Sequence, residues 1–217
     1  MLTILGRRNS ANVQKVMWTL GELNIAYTRN DIGGSFGYPE DYPNPNSVVP
    51  TLIDDDLVVW ESNACVRHLA RTYGVGSLWP DDPNLLACAD MWMEWQRSDI
   101  SNAFFPLFQM IVRGLPTTPE KTQRAVAACA RCFGQLDSQL AGRDYICGDT
   151  LTMADIVIGA MVYRYMTLPI ERPTFTHMDA WYARLTERPA YKKHVMIEYG
   201  SNLAEWDAHE QANAGIQ

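Results

Sequence analysis

The chain has 217 residues, of which 47% are hydrophobic and 20% are charged, and its formal net charge is −7 at pH 7. A chain of this length buries about 70–75% of its unfolded surface, so it needs neither a metal nor a disulfide to hold a core. The acidic balance, without a lysine- or arginine-rich block, argues against nucleic acid or a membrane surface as a partner.

The chain has no apolar region at its N-terminus and no run of about 18 apolar residues, so we expect neither a signal peptide nor a membrane span. Its cysteines are odd in number and scattered, which is typical of reduced thiols in a cytoplasmic protein. They are Cys65, Cys88, Cys129, Cys132 and Cys147. The four histidines lack ligand spacing, so no metal site is predicted.

The first third of the chain alternates between short strand-like apolar runs and helical spacing. The predicted elements are strands over residues 2–6 and 26–30, a helix over 12–23, a loop over 31–47, a hairpin of 51–53 with 57–60, and a helix over 62–73. A helix between two strands predicts a parallel pair. The acidic turn inside the hairpin predicts an antiparallel one.

Residues 74–83 are rich in Gly, Pro and Asp, which marks a linker, and everything after them has helical spacing. Helices are predicted over residues 85–112, 117–140, 152–167, 176–186 and 190–195, followed by a polar tail. The segment Thr117-Thr118-Pro119-Glu120 supplies a cap, a first-turn proline and an early acid for the second of these helices. Thr152 and Asp155 form a predicted capping box at the start of the third. The fold is therefore an α/β domain over residues 1–74, a linker over 75–84 and an all-α helical bundle over 85–217.

Two short motifs predict a binding groove. Pro50 lies at the mouth of a strand, and a cis Val49–Pro50 bond would leave the backbone N–H and C=O of Val49 free to pair with a peptide-like ligand. Glu61 and Ser62 begin a helix, where unpaired N–H groups and partial positive charge attract a carboxylate. Together these motifs predict a site for a small, acidic, peptide-like molecule such as glutathione.

Four motifs in order resemble the cytosolic glutathione S-transferase family over nearly the whole chain, to about Val195. They are Ser10-Ala-Asn12, Asn44-Pro-Asn-Ser-Val-Val49-Pro50, Glu61-Ser62 and Gly148-Asp-Thr-Leu-Thr-Met-Ala-Asp155. The resemblance is to bacterial, serine-type members similar to the theta and phi classes. It implies that residues 1–74 form a thioredoxin-like domain and that glutathione is the co-substrate.

Ser10 and Asn12 are the candidates for activating the thiol. A serine hydroxyl donates a stronger hydrogen bond to a thiolate than to a thiol, which lowers the thiol pKa. From position alone, Ser10 serves equally well as the cap of the following helix. The resemblance favours catalysis by Ser10, with the Asn12 amide as the rival donor. No tyrosine or cysteine lies in this window, which argues against the tyrosine-type and mixed-disulfide classes.

The resemblance implies that Val49 pairs with the cysteinyl part of glutathione beside Pro50, that Glu61 and Ser62 hold the γ-glutamyl end, and that Asp99 reaches the glutathione of a partner subunit. A solvated helix charge is an equal alternative for Asp99. Val48 replaces the usual polar residue before Val-Pro, and residues 31–47 lack a His-Lys pair for the glycyl carboxylate. The cations near this site, for which surface solubility is the preferred interpretation, are Arg7, Arg8 and Lys15.

An aromatic stripe in residues 92–110 is predicted to be mostly core, but part of it faces the groove in this fold. Its candidates for walling an apolar co-substrate pocket are Trp95 and Phe105. Arg113 at its far end is a further candidate, and preference for anionic electrophiles is one role open to it. The expected function is transfer of glutathione by a homodimer, through attack of its thiolate on an electrophilic carbon of a small apolar substrate. Two alternatives stay open: a glutathione-dependent disulfide or peroxide reductase, and a non-catalytic binding protein of the same fold.

Overall fold

The computed structural model describes residues 1–217 and begins with a four-stranded sheet. Its strands lie in the order β2-β1-β3-β4 and are β1 (Leu2–Leu5), β2 (Thr28–Asn30), β3 (Thr51–Asp54) and β4 (Leu57–Trp60). β1 pairs parallel with β2 and antiparallel with β3, and β3 and β4 form a hairpin. The predicted α/β arrangement is confirmed. β2 is shorter than predicted, because only three of its residues pair with β1.

Two helices pack on this sheet, α1 (Ala11–Glu22) and α2 (Ser62–Tyr73). A small apolar cluster joins α1 to the sheet and α2 through fully buried side chains that include Ile4, Leu20 and Leu52. α1 begins one residue earlier than predicted, because Ser10 takes the N-cap position and Ala11 is the first helical residue.

The opposite face of α1 packs against the helical half of the chain. Trp18 is fully buried in the larger apolar cluster and meets Tyr191 edge-on at 4.7 Å between ring centroids. Gly159 makes this close approach feasible, because a Cβ at that position would lie 2.8 Å from the Trp18 ring. α1 is therefore shared by the cores of both halves, which fixes its N-terminal end between them.

The second half is entirely helical. Its helices are α3 (Pro83–Trp95), α4 (Ser101–Ile111), α5 (Pro119–Leu140), α6 (Met153–Thr167), α7 (Thr176–Glu187), α8 (Pro189–His194) and α9 (Leu203–Ala212). The bounds of α5 and α6 confirm the predicted Thr118 cap and Thr152 capping box. None of the helices is both long and apolar enough to cross a membrane.

The helical half differs from the sequence prediction at two places. The single helix predicted over residues 85–112 is divided into α3 and α4 by a π-helical turn over Gln96–Ile100, a device that periodicity does not reveal. The polar tail contains α9, whose side chains bury only in part. Its apolar residues form no clear helical stripe, because α9 is held by one buried aromatic side chain, Trp206, which packs edge-on against Phe108, and by hydrogen bonds from Ser35 to Glu210.

Asp155 connects three segments of the helical half. Its fully buried carboxylate accepts hydrogen bonds from Ile146 N at 3.0 Å, from Trp181 Nε1 at 3.0 Å, and from both the amide and the hydroxyl of Thr152. Burial raises the pKa of Asp155, although these donors favour the charged form. The carboxylate thus joins the start of α6 to the preceding loop and to α7.

We predict that Asp155→Ala lowers the free energy of unfolding by at least about 3 kcal/mol, because it strands several buried donors. Urea unfolding monitored by circular dichroism measures this loss. Asp149→Ala is the matched control, since Asp149 is a nearby exposed carboxylate. Equal stability of the two variants would contradict a structural role for the Asp155 network.

Candidate active site

Two adjoining cavities open where the N-terminus of α1 meets the helical half of the chain. The polar cavity has a volume of about 530 Å³ and is lined by, among others, Lys15, Glu61, Ser62, Asn63 and Gln96. The arginine cavity has a volume of about 210 Å³ and is lined by, among others, Arg7, Ser10, Val49, Arg113, Arg164 and Trp206. Asn12 and Phe105 line both cavities, so both open beside the first turn of α1.

Ser10 takes the N-cap position of α1, but its hydroxyl makes no capping hydrogen bond. Its backbone amide donates to Arg7 O at 3.1 Å, and its carbonyl accepts from Gln14 N at 2.9 Å. The backbone alone therefore starts the helix, and the hydroxyl lies at the wall of the arginine cavity. A capping role for the side chain does not account for this serine.

The first turn of α1 is an electropositive part of the cavity wall. It contains no acidic residue, so no side chain offsets the partial positive charge of the helix N-terminus. Asn12 lies in this turn, and its side-chain oxygen accepts from Ser62 Oγ at 3.3 Å. An anion held beside Ser10 is therefore stabilised by both the helix dipole and the serine hydroxyl.

The Val49–Pro50 bond is cis, and Val49 lies at the edge of the arginine cavity. The preceding carbonyl, Val48 O, accepts from Tyr42 Oη and Asn44 Nδ2, both at 2.9 Å, which anchors the turn. The N–H and C=O of Val49 itself form no hydrogen bond within the protein. They are therefore available as an edge for an extended, peptide-like ligand.

Glu61 and Ser62 lie together at the start of α2, beside the polar cavity. Glu61 has a φ of 68°, a left-handed conformation that residues other than glycine seldom adopt. Its side chain is exposed, whereas Ser62 is buried. Backbone strain of this kind concentrates at ligand sites, which is consistent with a carboxylate that is turned toward a bound molecule.

Lys15 lies at the base of the polar cavity and is only 2% exposed. Its ammonium donates to Asn63 Oδ1 and Gln96 Oε1, both at 3.0 Å, and to Ser62 Oγ at 3.3 Å. Burial lowers the pKa of Lys15 to about 7, although the charge of Glu61 opposes this shift. The sequence interpretation of Lys15 as a solubilising residue is wrong, because α1 is covered on this face by α2 and the π turn.

The other predicted site residues differ in their distance from the two cavities. Phe105 and Arg113 line the arginine cavity. Trp95 lines neither cavity; it is half-buried and packs edge-on against Trp92, with ring centroids 4.7 Å apart. Asp99 is exposed on the π turn and accepts from Ser98 Oγ, outside both cavities.

Arg7 and Arg8 are half-buried rather than free surface residues, and the C-terminal tail covers them. Glu210 of α9 lies 2.6 Å from Arg7 Nε and also accepts from the amide and hydroxyl of Ser35. Arg8 donates to Asn213 Oδ1 and to Lys193 O. The tail therefore folds back over the loop after β1 and closes one side of the arginine cavity.

Sequence reasoning missed several residues that line the cavities, among them Gln96, Arg164 and Trp206. Gln96 is hidden by the π turn, which rotates it toward Lys15. Arg164 is a cation among the mostly apolar buried residues of the second half of α6, and a cation at a core position was a signal that could have been read. Trp206 belongs to the tail, whose position no local pattern indicates.

We predict that the stability of the protein depends on pH through Lys15. The pKa of Lys15 is about 7 in the folded protein, whereas an unperturbed lysine has a pKa of 10.5. Between these two pH values the unfolded state therefore binds more protons than the folded state. Stability therefore rises with pH across this window, by up to about 1.4 kcal/mol per pH unit. Lys15→Met lacks this contribution.

Urea unfolding of the wild type and Lys15→Met from about pH 7 to about pH 9 tests this. The free energy of unfolding of the wild type should rise relative to that of the variant as pH increases. Other titrating groups are common to both proteins and cancel in the difference. A difference that stays constant across the window would contradict a buried, readily deprotonated Lys15.

Comparison with known proteins places this geometry in a family. Residues 9–72 match the model of the glutathione S-transferase N-terminal domain, and residues 119–184 match that of the C-terminal domain. Glutathione S-transferase GstB of Escherichia coli K12 is 40% identical over 208 residues, which cover 91% of this chain and 99% of that protein.

Solved structures agree with these matches. A theta class glutathione S-transferase from Xanthomonas axonopodis pv. citri, with glutathione bound, is 42% identical; its TM-score is 0.86, and the match covers 91% of this chain and 98% of that one. Glutathione S-transferase D6 of Drosophila melanogaster is 35% identical over 144 residues, 64% of each chain. The chain belongs to the glutathione S-transferase family.

Proposed function

We propose that this chain binds glutathione along the two cavities and activates its thiol with Ser10 for attack on an electrophilic carbon. The observation that carries the proposal is the free Ser10 hydroxyl at the electropositive end of α1, beside the unpaired backbone of Val49. A group in this position contacts the sulfur of a ligand that is paired with Val49. The bound glutathione in the Xanthomonas structure supports the choice of ligand.

Each part of glutathione has a complementary group. The N–H and C=O of Val49, held by the Pro50 turn, pair with the cysteinyl residue. Glu61 receives the α-ammonium of the γ-glutamyl residue, and Ser62 at the start of α2 donates to its carboxylate. Lys15 lies 3.3 Å from Ser62 Oγ and adds positive charge beneath this carboxylate. All of these contacts come from residues 1–74, which we propose as the glutathione-binding domain. Residues 75–84 are the proposed linker to the helical domain, residues 85–217.

The reaction requires a thiolate, whereas an ordinary thiol has a pKa of about 8.5 and is mostly protonated at neutral pH. Ser10 and the N-terminus of α1 stabilise the anion, and the thiol proton passes to solvent. The thiolate then attacks a carbon of the co-substrate, which is held in the arginine cavity. The helical domain contributes Phe105 and Arg113 to the wall of this cavity. The protein supplies proximity and charge stabilisation, without a covalent enzyme intermediate.

We also propose that the functional unit is a homodimer. The apolar stripe of residues 92–110 does not support this, because its phenylalanines Phe104 and Phe108 are buried in their own chain. The support is the outer edge strand β4, on which Leu57, Val58 and Trp60 are 49%, 39% and 38% exposed. An apolar edge strand is a natural site of pairing. In such a dimer, Asp99 of one subunit would lie near the glutathione bound to the other.

We further propose a cytoplasmic location, because all five cysteines are free thiols.

We predict that Glu61→Ala and Ser62→Ala each weaken glutathione binding by roughly tenfold to a hundredfold, because each removes a charge-assisted hydrogen bond. Isothermal titration calorimetry measures the affinity. Glu171→Ala, which removes an exposed carboxylate on the helical half, is the matched control. Wild-type affinity in both site variants would exclude the start of α2 as the γ-glutamyl site.

We predict that Ser10→Ala lowers kcat/KM for an aryl halide by roughly tenfold to a hundredfold and leaves glutathione affinity nearly intact. The acidic limb of the pH–rate profile should move to higher pH, because the hydroxyl stabilises only the ionised sulfur. Asn12→Ala is the comparison variant. If the acidic limb moves in Asn12→Ala and not in Ser10→Ala, the Asn12 amide is the activator.

Parallel assays of the wild type with an aryl halide and with a mixed disulfide distinguish glutathione transfer from glutathione-dependent reduction.

We predict a dimer of about 49 kDa, twice the 24.5 kDa of one chain, in sedimentation velocity at micromolar concentration. Val58→Lys should shift the equilibrium toward the monomer, because it places a charge on the apolar edge of β4. A wild-type monomer under these conditions would remove both the dimer and the proposed role of Asp99.

A further inference from the structure

The arginine cavity holds more positive charge than the protein neutralises. Three guanidinium groups line it, from Arg7, Arg113 and Arg164, and Ser10 lines the same cavity. Glu210 forms an ion pair with Arg7. No acidic side chain forms an ion pair with either of the other two, and the nearby Asp207 is exposed.

Arg164 is the deepest of the three cations and is only 4% exposed. One of its terminal nitrogens donates to Asn9 O, and its buried Nε has no hydrogen-bond partner. The guanidinium lies over the rings of Phe108 and Trp206, 4.9 and 5.5 Å from their centroids. A buried, unpaired charge is costly, so this arrangement favours an anionic partner from outside the chain.

Arg113 approaches the same cavity from the end of α4. Its guanidinium also lies over the Trp206 ring, 4.5 Å from the centroid, and its buried Nε likewise lacks a hydrogen-bond partner. Burial and the charge of Arg7 lower the pKa of Arg113. Burial lowers the pKa of Arg164 to about 10, and the charges of Arg7 and Arg113 add to this shift. The cations therefore repel one another across the cavity.

We propose that the co-substrate of this enzyme is an electrophile that carries a carboxylate, which the Arg113 and Arg164 side chains bind while Ser10 directs the thiolate to the reacting carbon. This inference rests on the proposed function and specifies its substrate class. The aromatic rings of Phe105, Phe108 and Trp206 receive the apolar body of the substrate. A planar guanidinium binds a carboxylate through two hydrogen bonds, which fixes both position and orientation.

A chlorinated dinitrobenzoate illustrates the step. The glutathione thiolate attacks the ring carbon that bears chlorine, and the nitro groups hold the added electron pair. The C–S bond forms, the C–Cl bond breaks, and chloride leaves with its electron pair. The thiol proton has already passed to solvent, and the substrate carboxylate stays ionised and unchanged throughout. No oxidant or reductant takes part.

The test compares 4-chloro-3,5-dinitrobenzoate with its carboxamide, which has nearly the same shape without the charge. For each probe, kcat/KM is divided by the rate constant of the uncatalysed reaction with glutathione, so that intrinsic reactivity cancels. We expect the wild type to favour the acid over the amide by at least about tenfold. Arg113→Gln should reduce this ratio by roughly tenfold to a hundredfold, as the loss of a charged hydrogen bond does.

Two variants serve as controls. Arg113→Lys keeps the positive charge and should retain part of the preference for the acid. Arg124→Gln makes the same chemical change at an exposed position of α5, away from both cavities, and should keep the wild-type ratio. Glutathione affinity is measured in every variant by calorimetry.

A wild-type ratio near or below one would overturn the proposal while leaving glutathione transfer in place. The proposal would also be overturned if Arg113→Gln kept the wild-type preference for the acid over the carboxamide but bound glutathione more weakly. That result would indicate that the arginines bind the glycyl carboxylate of glutathione instead. Failure to bind glutathione or to convert any aryl halide would instead contradict the proposed function itself.

Discussion

The site depends on one constraint, the burial of α1 between the two halves of the chain. One face of this helix packs on the sheet, and Trp18 on the other face enters the helical core past Gly159. A helix fixed on both sides has a fixed N-terminus. Ser10, Asn12 and Lys15 lie along its first turns, so their positions relative to both cavities follow from the packing of apolar side chains far from the chemistry.

Charge at the site is arranged around this fixed end. Lys15 lies below the start of α2, and Arg164 lies behind the arginine cavity; both are almost fully buried. Lys15 donates hydrogen bonds to neutral side-chain oxygens, and Arg164 contacts aromatic rings and one backbone carbonyl. Neither side chain forms an ion pair with a carboxylate of the protein. Such cations reduce the stability of the folded chain and increase its affinity for anions. Glutathione carries two carboxylates, and the proposed co-substrate carries a third.

Local patterns in the sequence predicted most of the fold and part of the site. The alternation of the first third, the Pro119 and Thr152 helix starts, and the Val49-Pro50 and Glu61-Ser62 motifs each act over a few residues, so they can be read directly. The π turn, the docking of α9 and the burial of Lys15, Arg7 and Arg164 depend on contacts between distant segments. Glu210, for example, lies more than two hundred positions from Arg7 but pairs with it. Periodicity carries no information about such contacts.

The central claim is that the N-terminal end of α1 stabilises the glutathione thiolate. A direct titration of the bound thiol, by the ultraviolet difference absorbance of the thiolate in the complex with the wild-type protein, tests it. The account predicts that the bound thiol ionises at least about one pH unit below its value in free solution. A bound thiol that titrates with the pKa of free glutathione would contradict the account, whatever the affinity of the complex.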